Sequence, residues 1–137
     1  MLPNIIVTRA DRDRLANIVH AFVARDQSTL VDFLDQEVSR AQIVENGDIP
    51  PDVATMNSRI VYRDEDTGAE RTVQLVYPGA ENSDTGRLSV LTPVGTALLG
   101  LRCGQSLGWM TRDGRPRRLT LVHVLSQPER RQPGITA

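Results

Sequence analysis

Residues 92–109 read TPVGTALLGLRCGQSLGW. Thr92 supplies the side-chain oxygen that a helix N-cap needs, and Pro93 falls at the first helical position, where a missing N–H costs nothing. Ala97, Leu98, Leu99 and Leu101 are too apolar to face water. Gly100 and Gly104 then end the helix and turn the chain. Residues 88–91 before this stretch and 107–111 at its end have strand character. The spacing therefore predicts a short helix, apolar over most of its surface, inserted between the third and fourth strands of an antiparallel sheet.

Working outward from that helix, the period stays at two. Residues 59–63 alternate around Ile60 and Tyr62, residues 71–77 around Val73, Leu75 and Tyr77, and Thr67-Gly68 between them is a turn. The two runs predict a hairpin. Residues 107–111 and 117–125 flank Asp113-Gly114 and predict a second one. The sheet is expected to wrap around the short helix.

The first third has a different period. Thr8 followed by Asp11 has the form of a capping box with Asp in place of Glu, and Leu15, Ile18, Val19, Phe22 and Val23 lie on one helical stripe. After ARDQS, a second start at Ser28 or Thr29 leads into Leu30, Phe33, Leu34, Val38 and Ala41. Two amphipathic helices with a short connector predict an antiparallel hairpin. Gly47 and the prolines of ENGDIPPD stop the second helix. The expected division is a helical hairpin over 1–47 and a β-rich unit over 48–137, in the α+β class.

Composition limits the functions open to such a chain. The 137 residues carry a formal net charge of −1, but unevenly: −3 over 1–50, −4 over 51–86 and +6 over 87–137. With so little net charge, no global field draws the molecule to nucleic acid or anionic lipid. All 16 basic residues are Arg. Cys103 is the single cysteine, which excludes an intrachain disulfide and suits a reducing interior. With His20 and His123 the only histidines, a zinc site lacks its ligands, and neither metal nor cofactor is expected. No run approaches the ~20 apolar residues that span a bilayer. The expectation is a soluble cytoplasmic protein without membrane contact.

Four collinear blocks carry a resemblance: DVATMNSRI at 52–60, LVYP at 75–78, LSVLTPVGTALLGLRCGQSLGW at 88–109 and SQPE at 126–129. Together they resemble the C-terminal domain of the bacterial Gre transcript-cleavage factors, which has an FKBP-like fold. The short helical hairpin makes the likeness closest to the Rnk branch of that family, the regulators of nucleoside diphosphate kinase, whose coiled coil is shorter than that of the Gre factors.

The resemblance implies a body that anchors on RNA polymerase near its secondary channel, with Pro93, Val94 and Gly95 as contacts. In the Gre factors a long coiled coil carries acidic residues that help hold a catalytic Mg²⁺. Here the corresponding tip is Arg25-Asp26-Gln27, a single carboxylate beside a guanidinium and a poor ligand for that ion. The expected function is a non-enzymatic regulator that occupies the polymerase without stimulating cleavage, meeting nucleic acid only through it. The alternatives are a regulator acting on nucleoside diphosphate kinase and an active cleavage factor.

Other residues have plainer readings. Arg112, Arg115, Arg117 and Arg118 form the densest basic patch, either a solvated hairpin tip or a contact for acidic protein or phosphate. Trp109 reads as core, His123 as a satisfied or edge histidine, and Cys103 as an apolar filler. Gly95 and Gly100 start like a phosphate-binding loop, but its Lys and Ser/Thr are missing. Tyr62, Tyr77 and Trp109 are too few to line a prolyl isomerase pocket. The stripe at Leu15, Phe22, Leu30 and Leu34 leaves homo-oligomerisation open.

Overall fold

The structure, a computed structural model, describes residues 4–23, 28–111 and 113–129. Strand β1 (Ile6–Thr8) leads into helix α1 (Arg9–Val23); helix α2 (Ser28–Arg40) leads into strand β2 (Gln42–Val44). The second half contains β3 (Arg59–Asp64), β4 (Glu70–Val76), β5 (Arg87–Ser89), α3 (Pro93–Leu98), β6 (Ser106–Met110) and β7 (Pro116–Ser126). This is a mixed α+β fold whose curled five-stranded sheet has the order β5-β4-β3-β7-β6, with Ala97 and Leu98 of α3 in the same apolar cluster as Ile60, Leu75, Leu119 and Leu121 of the sheet.

Both expected hairpins are present. β3 and β4 pair antiparallel from Arg59↔Gln74 to Arg63↔Glu70, and β6 and β7 from Ser106↔Thr120 to Met110↔Pro116. The short helix is also where the sequence puts it. Thr92 Oγ1 accepts from the Gly95 N–H at 3.0 Å, and Gly95, Thr96, Ala97 and Leu98 are buried. The sheet is not wholly antiparallel, however: β5 runs parallel to β4, with Gln74, Leu75 and Val76 opposite Arg87, Leu88 and Ser89. A 3-10 turn at Ser83–Thr85, closed by Gly86 at φ 73°, returns the chain so that β5 enters in the same direction as β4.

Two further differences lie at the N-terminal hairpin. The second helix stops at Arg40, before Gly47, because residues 42–44 form a strand. β1 and β2 pair in parallel, Ile6 with Gln42 and Thr8 with Val44, and close the base of the α1–α2 pair. The Thr8 hydroxyl accepts from the Asp11 N–H at 3.1 Å, which is half of the expected capping box. The Asp11 carboxylate, besides its contact with the Thr8 side chain, is engaged by Met56 and Tyr77.

Leu15 and Leu34 are fully buried, in one apolar cluster with Ile60, Leu75, Leu98, Leu99 and Leu121. The oligomerisation stripe therefore loses two of its members to the chain's own core; the side chains of Phe22 and Leu30 lie outside the described residues. Val31, fully buried, and Glu37, 2% exposed and held by Arg40 Nε at 2.9 Å, join the inner face of α2. Trp109 packs on Phe33 with ring centroids 6.5 Å apart, tying β6 to α2. Cys103 is half-buried and burial pushes its thiol pKa up, as suits a filler. Along β7, Leu119 and Leu121 face inward, the pairing shifts register, and Val124 rather than His123 turns toward the core. His123 and Leu125 are left exposed.

Candidate functional site

The start of α3 is held by short polar contacts on three sides. Thr92 Oγ1 donates to the Ser89 carbonyl at 2.8 Å, Thr96 Oγ1 donates to the Val90 carbonyl at 2.7 Å, and the Leu91 N–H donates to Ser89 Oγ at 3.0 Å. The backbone approaches so closely here that a Cβ on Gly95 would lie 2.2 Å from the Ser89 oxygen. Only glycine allows α3 to rest against the end of β5. Gly95 is buried, Val94 half-buried and Pro93 exposed at the rim. Beside Pro93 runs a groove of about 500 Å³ lined by Glu81, Asn82, Ser83, Arg87, Leu88, Ser89 and Thr92. The start of α3 thus presents an exposed Pro93 and a half-buried Val94 beside a groove of mixed polar and apolar lining.

The basic patch takes a different form in space. Arg117 donates to Asp64 at 2.7 Å and to Asp66 at 3.0 Å, so the acidic β3–β4 turn neutralises it. Arg115 lies 3.5 Å from Asp113. Arg118 is exposed, and Arg112 lies outside the described residues. The strong charge asymmetry along the sequence is thus partly cancelled where the two hairpins meet. A second groove, of about 370 Å³, runs past this point between Trp109, Met110, Pro116 and Arg118. Met110 is 63% exposed along it.

Arg25, Asp26 and Gln27 also lie outside the described residues. The helices that lead toward them have 15 and 13 residues, so at 1.5 Å per residue the arm reaches about 22 Å.

Perturbed titrations lie elsewhere, beneath the arm. Burial raises the pKa of Asp11, of Tyr77 and of Glu129. The Tyr77 hydroxyl donates to Asp11 Oδ1 at 3.0 Å, and Thr55 Oγ1 donates to Glu129 Oε1 at 2.8 Å. Gln127, 5% exposed, donates from Nε2 to the Pro50 and Val53 carbonyls at 2.9 Å each. The Ala54 carbonyl accepts from the Gly100 N–H at 2.8 Å. The blocks at 52–60, 75–78, 88–109 and 126–129 therefore converge on this joint. Their sequence order carries no sign of that meeting, and Asp11 reads in sequence only as part of a helix cap.

Comparison with known proteins finds two family profiles that match the chain. A family profile described as "Transcription elongation factor, GreA/GreB, C-term" matches residues 49–126, and one described as "Rnk N-terminus" matches residues 3–44. The chain is 38% identical over 127 residues to the "Regulator of nucleoside diphosphate kinase" of Escherichia coli strain K12, covering 93% of each. It is 31% identical over 81 residues to the transcription elongation factor GreA of Azorhizobium caulinodans, covering 59% of this chain and 52% of that one. Among solved structures it resembles a transcription elongation factor GreA/GreB from Nitrosomonas europaea, with TM-score 0.67, 35% identity, and coverage of 89% of this chain and 98% of the other.

Proposed function

Because this chain belongs to the GreA/GreB C-terminal family and carries an Rnk-type N-terminal segment, we propose that it is a non-enzymatic regulator that docks on bacterial RNA polymerase near the secondary channel. Residues 48–137 form the docking body, FKBP-like in its sheet around a short helix. Residues 1–47 form a short coiled-coil arm. The observation that carries the reading is the hydrogen-bonded start of α3, where an exposed Pro93 and a half-buried Val94 stand on the buried Gly95 beside an open groove. The arm of about 22 Å and a tip with one carboxylate leave the polymerase's own metal chemistry untouched. Such a protein works in the cytoplasm and meets nucleic acid only through the polymerase.

Pull-down with purified polymerase, with a Gre factor as competitor, tests this. Capture that the Gre factor displaces is expected, and Pro93→Glu, at an exposed position, is expected to weaken it at least about tenfold without lowering Tm. Failure to bind removes the reading. RNA shortening in a stalled elongation complex would instead make the chain an active cleavage factor. The name of the Escherichia coli relative favours a second reading, direct action on nucleoside diphosphate kinase. Kinase activity assayed with and without the protein, in the absence of polymerase, separates the two.

A further inference from the structure

Asp11 sits in the first turn of α1 and is 9% exposed. Its two carboxylate oxygens reach separate parts of the body. Oδ2 accepts from the Met56 N–H at 3.2 Å, in the turn before β3, and Oδ1 accepts from the Tyr77 hydroxyl at 3.0 Å, just beyond β4. From the next turn of α1, Arg14 places its guanidinium carbon 4.1 Å from the centre of the Tyr77 ring. Thr55 and Ser58 join hydroxyls at 2.6 Å on one side, and Thr55 ties in Glu129 from the C-terminal side.

Apolar burial is non-directional, so the Leu15 and Leu34 contacts hold the arm down without dictating its angle. A buried carboxylate is costly unless hydrogen bonds satisfy it, and those bonds depend steeply on direction. Leucine at position 11 would extend the apolar seam more cheaply. A carboxylate with two donors from two body segments instead restricts rotation about both.

We propose that Asp11 is the positioning residue of the arm: by receiving the Met56 amide and the Tyr77 hydroxyl on opposite oxygens, it fixes the angle at which the α1–α2 pair leaves the body. Tyr77 opens the segment that runs through Glu81, Asn82 and Ser83, so the arm is set relative to the docking groove itself. That functional consequence rests on the docking reading; the fixed angle does not.

The test uses the full chain with Cys103→Ser and spin labels at two exposed positions, His20 on α1 and Thr72 on β4, and measures the distance distribution by pulsed electron resonance without polymerase. The wild-type sequence is expected to give one narrow distance. Asp11→Ala and Tyr77→Phe should each broaden it at least about twofold, and Asp11→Asn, which keeps one acceptor oxygen, should fall between. Arg117→Ala should leave it unchanged. Unaltered widths in both Asp11→Ala and Tyr77→Phe overturn the proposal. If Asp11→Ala does not fold, Tyr77→Phe, which removes one hydroxyl from a half-buried ring, decides alone. Pull-down of the same variants reads the docking proposal separately: retained capture by a chain with a loosened arm supports both, and absent capture by the wild type sinks docking while the label distances still judge Asp11.

Discussion

The joint beneath the arm and the paired hairpin tips use the same chemistry in opposite settings. At the tips, Arg117 meets Asp64 at 2.7 Å with side chains 41% and 21% exposed, and Arg63 meets Glu70 at 3.3 Å with 39% and 48% exposed. At the joint, Asp11 meets a hydroxyl and an amide with almost no access to water. Solvent screens the first set and makes each pair replaceable; desolvation makes each bond of the second necessary. Proximity of opposite groups therefore says little about stability until burial is known.

The largest effect is expected where the backbone of Gly100 closely approaches β1 and the residue before it. Gly100 has φ 79°, accepts from the Ile6 N–H at 3.0 Å, and a Cβ there would lie 2.8 Å from Ile5 Cβ. Gly100→Ala combines left-handed strain with overpacking and should cost about 3 kcal/mol, read by urea denaturation. A loss below about 1 kcal/mol would mean that β1 yields easily and that the joint is softer than its geometry implies.

Next is Asp11→Ala, which strands the Met56 N–H and the Tyr77 hydroxyl and should cost about 2 kcal/mol in the same experiment. The pH dependence sharpens this. Burial raises the Asp11 pKa, and hydrogen bonds from Tyr77, Met56 and Thr8 together with the Arg14 charge oppose it only in part. The folded state thus holds its proton more tightly than the unfolded one, so this group's contribution falls as pH rises above the ordinary carboxylate range. Asparagine has no proton to lose. The Tm of Asp11→Asn minus that of the parent should therefore grow from pH ~4 to pH ~7; a difference that shrinks would show that the bonds to the charged form outweigh desolvation.

The smallest effect belongs to the tips. Arg117→Ala, despite breaking two ion pairs, should cost about 0.5 kcal/mol, and less in high salt. A cost as large as that of Asp11→Ala would erase the contrast between the two regions.

Much of the fold was legible because its signals are local. The stripe through Leu15, the hairpin turns at Gly68 and Gly114, and the cap of α3 by Thr92 each lie within a few residues of what they specify. The family blocks were legible too, though their common purpose was not: they read as a string and fold into one joint. β1 and β2 were missed because three-residue strands show no alternation and pair across 36 positions; β5 was expected at 88–91, but not its direction, because nothing local distinguishes a parallel partner from an antiparallel one. Nothing local marks the register shift within β7, which leaves His123 and Leu125 exposed while Val124 packs on the core.

By itself, then, the sequence determined periodicity, caps and turns: two amphipathic helices, two hairpins and a buried helix opening on Thr92-Pro93. Only the tertiary structure decided which charges meet water. Asp11 and Tyr77 are 66 residues apart, as far beyond local reach as Arg117 is from its partners at Asp64 and Asp66. A carboxylate's energy depends on the dielectric and the donors around it, and both are set by segments that chain order does not bring together.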